Sequence, residues 1–178
     1  HVTGVQTCAL PISGGALRAV LDMTATTAEQ HDAIEQLLRL GDNALVHGQR
    51  LSEWCGHGPA LEEDIALSNI SLDCVGQARL LLALAGTREA QGRDEDALAY
   101  LRDESAFRNY TLLELPNGHG PHDDYAITIA RGFLHAALQV HLWPALAACA
   151  DRELAAIAAR SINRSEEHTS ELQSRGLI

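Results

Sequence analysis

The sequence predicts an all-α protein, an up-and-down helical bundle whose fourth helix is incomplete. Three observations predict it. Apolar residues recur at three- and four-residue steps from Ile34 to Trp54; a second stretch, Ala60 to Ala85, is apolar nearly all round; and no segment alternates with the two-residue period of a strand. A helix apolar on every side has to be enclosed, and long helices joined by short linkers enclose one another as a bundle.

The first helix carries Ile34, Leu37, Leu38, Leu45, Leu51 and Trp54 and stops at Gly56 and Gly58. Along it Gly41, Gly48 and Ser52 form a row of small residues. Such a row lets a neighbouring helix approach closely, against a cost of about 1 kcal/mol for each Gly inside a helix. The second helix, 60–85, is expected to have Pro59 at its first turn and places Glu62, Glu63 and Asp64 at its positive end. Asn69, Asp73 and Gln77 stand four residues apart within its apolar surface. A polar stripe in that setting calls for partners, because an unpaired buried carboxylate or amide is costly. Asp73 is therefore expected to face inward and pair with an Arg or amide of a neighbouring helix, Arg50 being one candidate.

After the linker "GTREAQGRDED", Asp94 caps a short helix over "EDALAYLRDESAFRNYTLLE", ended by Pro116, Asn117 and Gly118. A loop, "HGPHDD", spans His119 to Asp124, and Asp123 or Asp124 caps a third long helix, "YAITIARGFLHAALQVHLWPALAACA", which Pro144 is expected to kink. Asp151 opens a fourth, "RELAAIAARSIN".

The two ends read differently. Arg164 to Ser174 can be encoded by a DNA stretch whose opposite strand translates as Val2 to Ile12. Reverse-complementary ends have no folding explanation and resemble a sequencing-library adapter read in both orientations. Residues 1–13 and 164–178 are therefore expected to be translated adapter and 14–22 upstream read-through, with Met23 as the native start and 23–163 as the bundle.

Over 23–163 there are 10 arginines against 20 acids and no lysine, a net charge of −10. So acidic a chain argues against gripping phosphate backbones, and no nucleic-acid partner is expected. No apolar run approaches the roughly 20 residues that cross a bilayer, so no membrane partner is expected either, and the reading is cytoplasmic. Cys55, Cys74 and Cys149 are odd in number and widely spaced, which indicates neither a disulfide framework nor a zinc site.

A helical bundle raises the prospect of a di-iron carboxylate site, which takes inward Glu residues and a Glu-x-x-His pair on each of two helices. No Glu-x-x-His occurs in the chain; at the corresponding place on the second helix stands Asn69-Ile-Ser-Leu-Asp73. No catalytic, cofactor-binding or metal-ligating residue is assigned, and Asn69, Asp73 and Gln77 are read as a buried, hydrogen-bonded polar stripe. His135 and His141, six apart, lie on different faces of one helix. His119 and His122 belong to an exposed loop, His31 and Glu35 form a surface pair, and Cys55 with His57 in "WCGHG" lacks a third group for nucleophilic catalysis.

Several strings coincide with a known family. "RLGDNAL", "EWCGH", "DCVGQAR" and "ELPNG", in that order and followed by "TIARGFLHAALQVHLW" and "LAAIAARSI", resemble the amino-terminal part of the structural C-component family of phenylacetyl-CoA monooxygenases, the ring 1,2-epoxidases. The likeness covers most of Glu29 to Asn163, with "HGPHDD" as an insertion. It implies a ferritin-like bundle without its own metal, a structural member that pairs with a homologous catalytic subunit. That partner's di-iron centre epoxidises the aromatic ring, with electrons from NADPH delivered by a reductase carrying flavin and an iron–sulfur cluster. A free-standing helical binding module is one alternative, since "EAQGRDEDALAYL" resembles half of a tetratricopeptide-type pair; such arrays repeat at about 34 residues, and no second copy is present. A di-iron catalytic subunit is a further alternative, which fails mainly at Asn69 to Asp73, where the ligand pattern is missing.

Overall fold

A computed structural model describes residues 27–118 and 124–174, and its contacts divide the chain into two units, His1–Ala33 and Ile34–Ile178. Of the first unit only the opening turns of a helix are described. Met23, the adapter-like start and His119 to Asp123 lie outside the described residues.

Every regular element among the described residues is helical. Helix α1 spans Thr27–Ser52, α2 Leu61–Glu89, α3 Glu95–Tyr100, α4 Thr111–Glu114, α5 Tyr125–Ala147 and α6 Arg152–Ser174, with a single 3-10 turn at Glu104–Ala106. The four long helices match the four read from periodicity. In the second unit α5 and α6 lie side by side, and α2 packs against α3 and α6.

Local chemistry accounts for most boundaries. Asp94 caps α3 by accepting the Ala97 N–H at 2.8 Å, Asp124 accepts the Ala126 N–H at 2.9 Å at the start of α5, and Asp151 accepts the Leu154 N–H at 3.2 Å at the start of α6. Helix α2 begins one residue later than the sequence suggests, with extended Ala60 as its cap, so Pro59 lies outside the first turn. It also runs four residues further, to Glu89, and ends on Ala90 in the left-handed conformation at φ 53°.

Two segments depart from expectation. The stretch from Glu95 to Glu114 is not one helix: it breaks after Tyr100 and runs extended at Phe107 and Tyr110. The cause is tertiary. Asp42 accepts the backbone N–H of Arg108 at 2.8 Å and Asn43 that of Tyr110 at 2.7 Å, so these groups bond to α1 in place of their own preceding turn. Secondly, α6 stays helical to Ser174 through the adapter-like run, where no Gly or Pro intervenes to end it.

The core of the second unit falls into two apolar clusters. One joins Leu37 and Leu38 of α1, Leu81 and Leu82 of α2, Trp143 of α5 and Ala158 of α6. The other joins Leu51 and Trp54 with Leu67, Ile70 and Cys74 of α2 and Ile129 and Ala136 of α5. Helices α1 and α2 meet through the glycine row. A Cβ on Gly41 would stand 2.8 Å from Leu82 Cδ2, and one on Gly48 would stand 3.1 Å from both Cys74 Cβ and the Ser71 carbonyl oxygen. Ser71 uses the space at Gly48, donating its hydroxyl to that residue's carbonyl at 2.7 Å. Ser52, the third member of the row, is exposed, because α1 ends there.

Helix α2 corrects a further expectation: it is long and apolar enough, by length and composition, to cross a bilayer. Its length goes instead into the two clusters, to which it contributes Leu67, Ile70, Cys74, Leu81, Leu82, Leu84 and Ala85.

Candidate functional site

The stripe read from the sequence is not a buried one. Asn69 is exposed, and Asp73 and Gln77 are half-buried. The inward face of α2 is formed by Leu67, Ile70, Ser71, Cys74, Ala78 and Leu81, which leaves the stripe on the flank of the helix. Asp73 does meet an arginine, but it is Arg164 of α6, within the adapter-like run. Arg50 is occupied elsewhere, bonding Glu53 at 2.9 Å and the Glu114 carbonyl at 3.1 Å.

The polar interior comes from α1 and α5. Between the two apolar clusters lie His47 of α1 and His135 and Gln139 of α5, all buried, with the imidazole centroids 4.6 Å apart and the rings tilted by 58°. The Gln139 amide nitrogen and His135 Nε2 are 3.1 Å apart. One turn before His135, the buried Arg131 guanidinium donates to the Leu115 and Pro116 carbonyls at 2.6 and 3.2 Å and to Asn117 Oδ1. Burial is the main influence on this guanidinium and pulls its pKa down from the ordinary arginine range; nearby Arg50 adds to that and Glu53 opposes it. His141 is exposed, on another face of α5 from His135, as their spacing requires.

Two further polar centres fasten the irregular segment 101–118 to the helices. Asp42 and Arg102 form a buried ion pair, and the same guanidinium lies 4.3 Å from the centroid of the Phe107 ring and donates to the Leu98 carbonyl. Asn117 donates to the Arg50 carbonyl at 2.9 Å and to Glu53 at 2.7 Å, while its own oxygen accepts from Thr128 at 3.1 Å. Trp54 completes this hub by donating its indole N–H to Thr128 Oγ1 at 3.0 Å. The strings "RLGDNAL" and "ELPNG" thus carry the residues that fix this segment.

Periodicity misses these residues, although one signal is present. Asp42 follows Leu38 by four residues and therefore shares the apolar face of α1, where a carboxylate needs a partner.

The arrangement does not fit a pair of irons. Among the described residues no three His, Cys, Asp or Glu side chains converge as ligands. Buried Asp42 is already neutralised by Arg102, and the histidine pair has the Arg131 guanidinium one turn away. Cys74 is not an activated thiol, since burial pushes it up to about 12.

Comparison with known proteins places the chain among relatives. Residues 19–174 match the profile of a family described as phenylacetic acid catabolic protein. The chain is also 50% identical over 131 residues to the C component of the 1,2-phenylacetyl-CoA epoxidase of Escherichia coli (strain K12), an overlap that covers 74% of this chain and 50% of that relative. The chain therefore spans about half the length of the curated relative it matches. With its all-helical, ferritin-like architecture, the chain belongs to the phenylacetic acid catabolic protein family.

Proposed function

We propose that this protein is a non-catalytic structural subunit of a multicomponent phenylacetyl-CoA oxygenase in aerobic phenylacetate degradation. In this reading it pairs with a homologous subunit whose di-iron centre epoxidises the aromatic ring, and NADPH supplies electrons through a separate reductase carrying flavin and an iron–sulfur cluster. The complex is cytoplasmic. The identity to the C component of an epoxidase carries the proposal, and the donor set inside the bundle supports it.

In such a complex the chemistry belongs to the partner, and what this chain contributes is rigidity. The Asp42–Arg102 pair and the Asn117 hub hold the segment 101–118 on α1 and α5, so one surface of the bundle is presented in a fixed form. Turnover of phenylacetyl-CoA tests the reading. The purified protein alone, supplied with iron, reductase and NADPH, is expected to form no epoxide, and adding the catalytic subunit is expected to restore turnover. Epoxide formed by the protein alone would overturn it.

A further inference from the structure

Helices α1 and α5 run antiparallel, and two contacts fix their register. The His47 and His135 rings are 4.6 Å apart, and seven residues after His47 the Trp54 indole bonds Thr128, seven residues before His135. Four residues before His47 stands Asn43, and four after His135 stands Gln139. These two amides therefore lie at the same level of the interface, one turn or about 5.4 Å beyond the histidines. Trp143 follows Gln139 by a further turn on the same face of α5. All three side chains are buried.

Each of them keeps one polar atom with no hydrogen-bond partner among the described residues: Asn43 Nδ2, Gln139 Oε1 and Trp143 Nε1. The other ends of the two amides are engaged. Asn43 Oδ1 accepts the Tyr110 N–H at 2.7 Å, and Gln139 Nε2 lies 3.1 Å from His135 Nε2. What is left over is two N–H donors and one carbonyl acceptor, in an interior where an unmet polar group is costly.

This mixture of capacities selects the ligand. A cation is repelled by both N–H groups and by the Arg131 guanidinium, buried two turns before Gln139 on the same face. An anion is turned away by the Gln139 carbonyl oxygen. Water accepts two hydrogen bonds and donates two, so a single molecule serves both N–H groups and the oxygen, with the roughly three bonds that buried waters make. The reversed orientation of the Gln139 amide presents a third donor, one more than a water can accept.

We infer that an ordered water is bound between α1 and α5 at the level of Asn43 and Gln139, accepting from Asn43 Nδ2 and Trp143 Nε1 and donating to Gln139 Oε1. The water fixes the Gln139 amide, and the amide in turn donates to His135 Nε2, which carries no proton of its own. The site thus couples the register of α1 against α5 to the tautomer of a buried histidine. It goes beyond the proposed role of the chain and does not depend on it.

Magnetic relaxation dispersion of water oxygen, measured on the full chain, counts long-lived internal waters. Gln139→Met removes the acceptor at nearly constant size, and Trp143→Phe removes one donor. Each variant is expected to hold one such water fewer than wild type, with unchanged helicity. Imidazole nitrogen shifts of the wild type are expected to show an unprotonated His135 Nε2, a readout that decides the matter should a variant fail to fold. Equal dispersion in the wild type and both variants would overturn the inference. So would a protonated His135 Nε2, which would mean that the Gln139 amide is reversed. A crystal structure with Asn43 Nδ2 bonded directly to Gln139 Oε1, or with bromide at the site in crystals grown from bromide, would overturn it as well.

Discussion

Asp42 of α1 and Arg102, sixty positions later, form an ion pair whose side chains are 0% and 4% exposed, and Asp42 also accepts the Arg108 backbone N–H. A carboxylate so enclosed is tolerable only with its counter-charge. Arg102→Leu is expected to cost about 3–5 kcal/mol, because it strands Asp42, whereas the double variant Asp42→Leu, Arg102→Leu should recover part of that loss. Chemical denaturation of the four proteins of this cycle measures both. A loss in the double variant equal to the sum of the two single losses would show that the pair is not coupled.

Gly86 gives a second prediction. Its α-carbon faces the Arg93 carbonyl so closely that a Cβ would collide with backbone, and the Leu98 side chain lies just beyond at 3.5 Å. Gly86→Ala should therefore destabilise by about 1–3 kcal/mol even though Ala is the better helix former. A gain in melting temperature would show that the 90–94 turn can move aside.

Ala90 points the other way. It ends α2 at φ 53°, a conformation that costs a residue with a Cβ roughly 1 kcal/mol and a glycine little. Ala90→Gly is expected to raise stability by about 0.5–1 kcal/mol, read from the denaturation midpoint. A fall would mean that the helix end is not left-handed.

The fourth prediction concerns acid. Arg88 bonds Asp151 at 2.8 Å and Glu153 at 3.1 Å, and its hydrogen bond to Asp151 holds that carboxyl below the usual carboxylate range. A depressed folded value means that the unfolded chain takes up the proton first as pH falls. The stabilisation is complete above the ordinary carboxylate value of about 3.9 and is lost as pH drops through the lower folded one. Asp151→Asn should lower the melting temperature at neutral pH, and its curve should meet that of the wild type in strong acid. Parallel curves across the whole range would contradict this linkage.

Read from the sequence alone, Asp73 is a buried anchor whose loss costs about 1–3 kcal/mol. Half-buried on the flank of α2 and paired with exposed Arg164, it should instead cost no more than about 1 kcal/mol when changed to Ala. Denaturation of Asp73→Ala distinguishes the two values.

The contrast between Asp73 and Asp42 shows what is legible in the sequence. Helical periodicity reports which side chains share a face, so the long helices and the tight seat of α1 on α2 at Gly41 and Gly48 can be read directly. Periodicity does not report which faces of an all-round apolar helix acquire neighbours. Helix α2 has core on one side and exposed Leu61, Ile65 and Leu72 on the other, and the stripe of Asn69, Asp73 and Gln77 falls outside the core. The segment 95–114 is illegible for a related reason: its backbone N–H groups at Arg108 and Tyr110 bond to side chains more than sixty residues earlier, and no local propensity encodes such a bond. "DN" in "RLGDNAL" and the Asn of "ELPNG" are recognisable as family marks, while their physical work as fasteners emerges only in the fold.

Iron content of the purified protein tests the central claim most directly. Expressed in iron-supplemented cells and measured by atomic emission against quantitative amino-acid analysis, the protein alone is expected to carry iron far below one atom per chain, and its complex with the catalytic subunit about two irons per pair. About two tightly held irons in the protein alone would contradict the account.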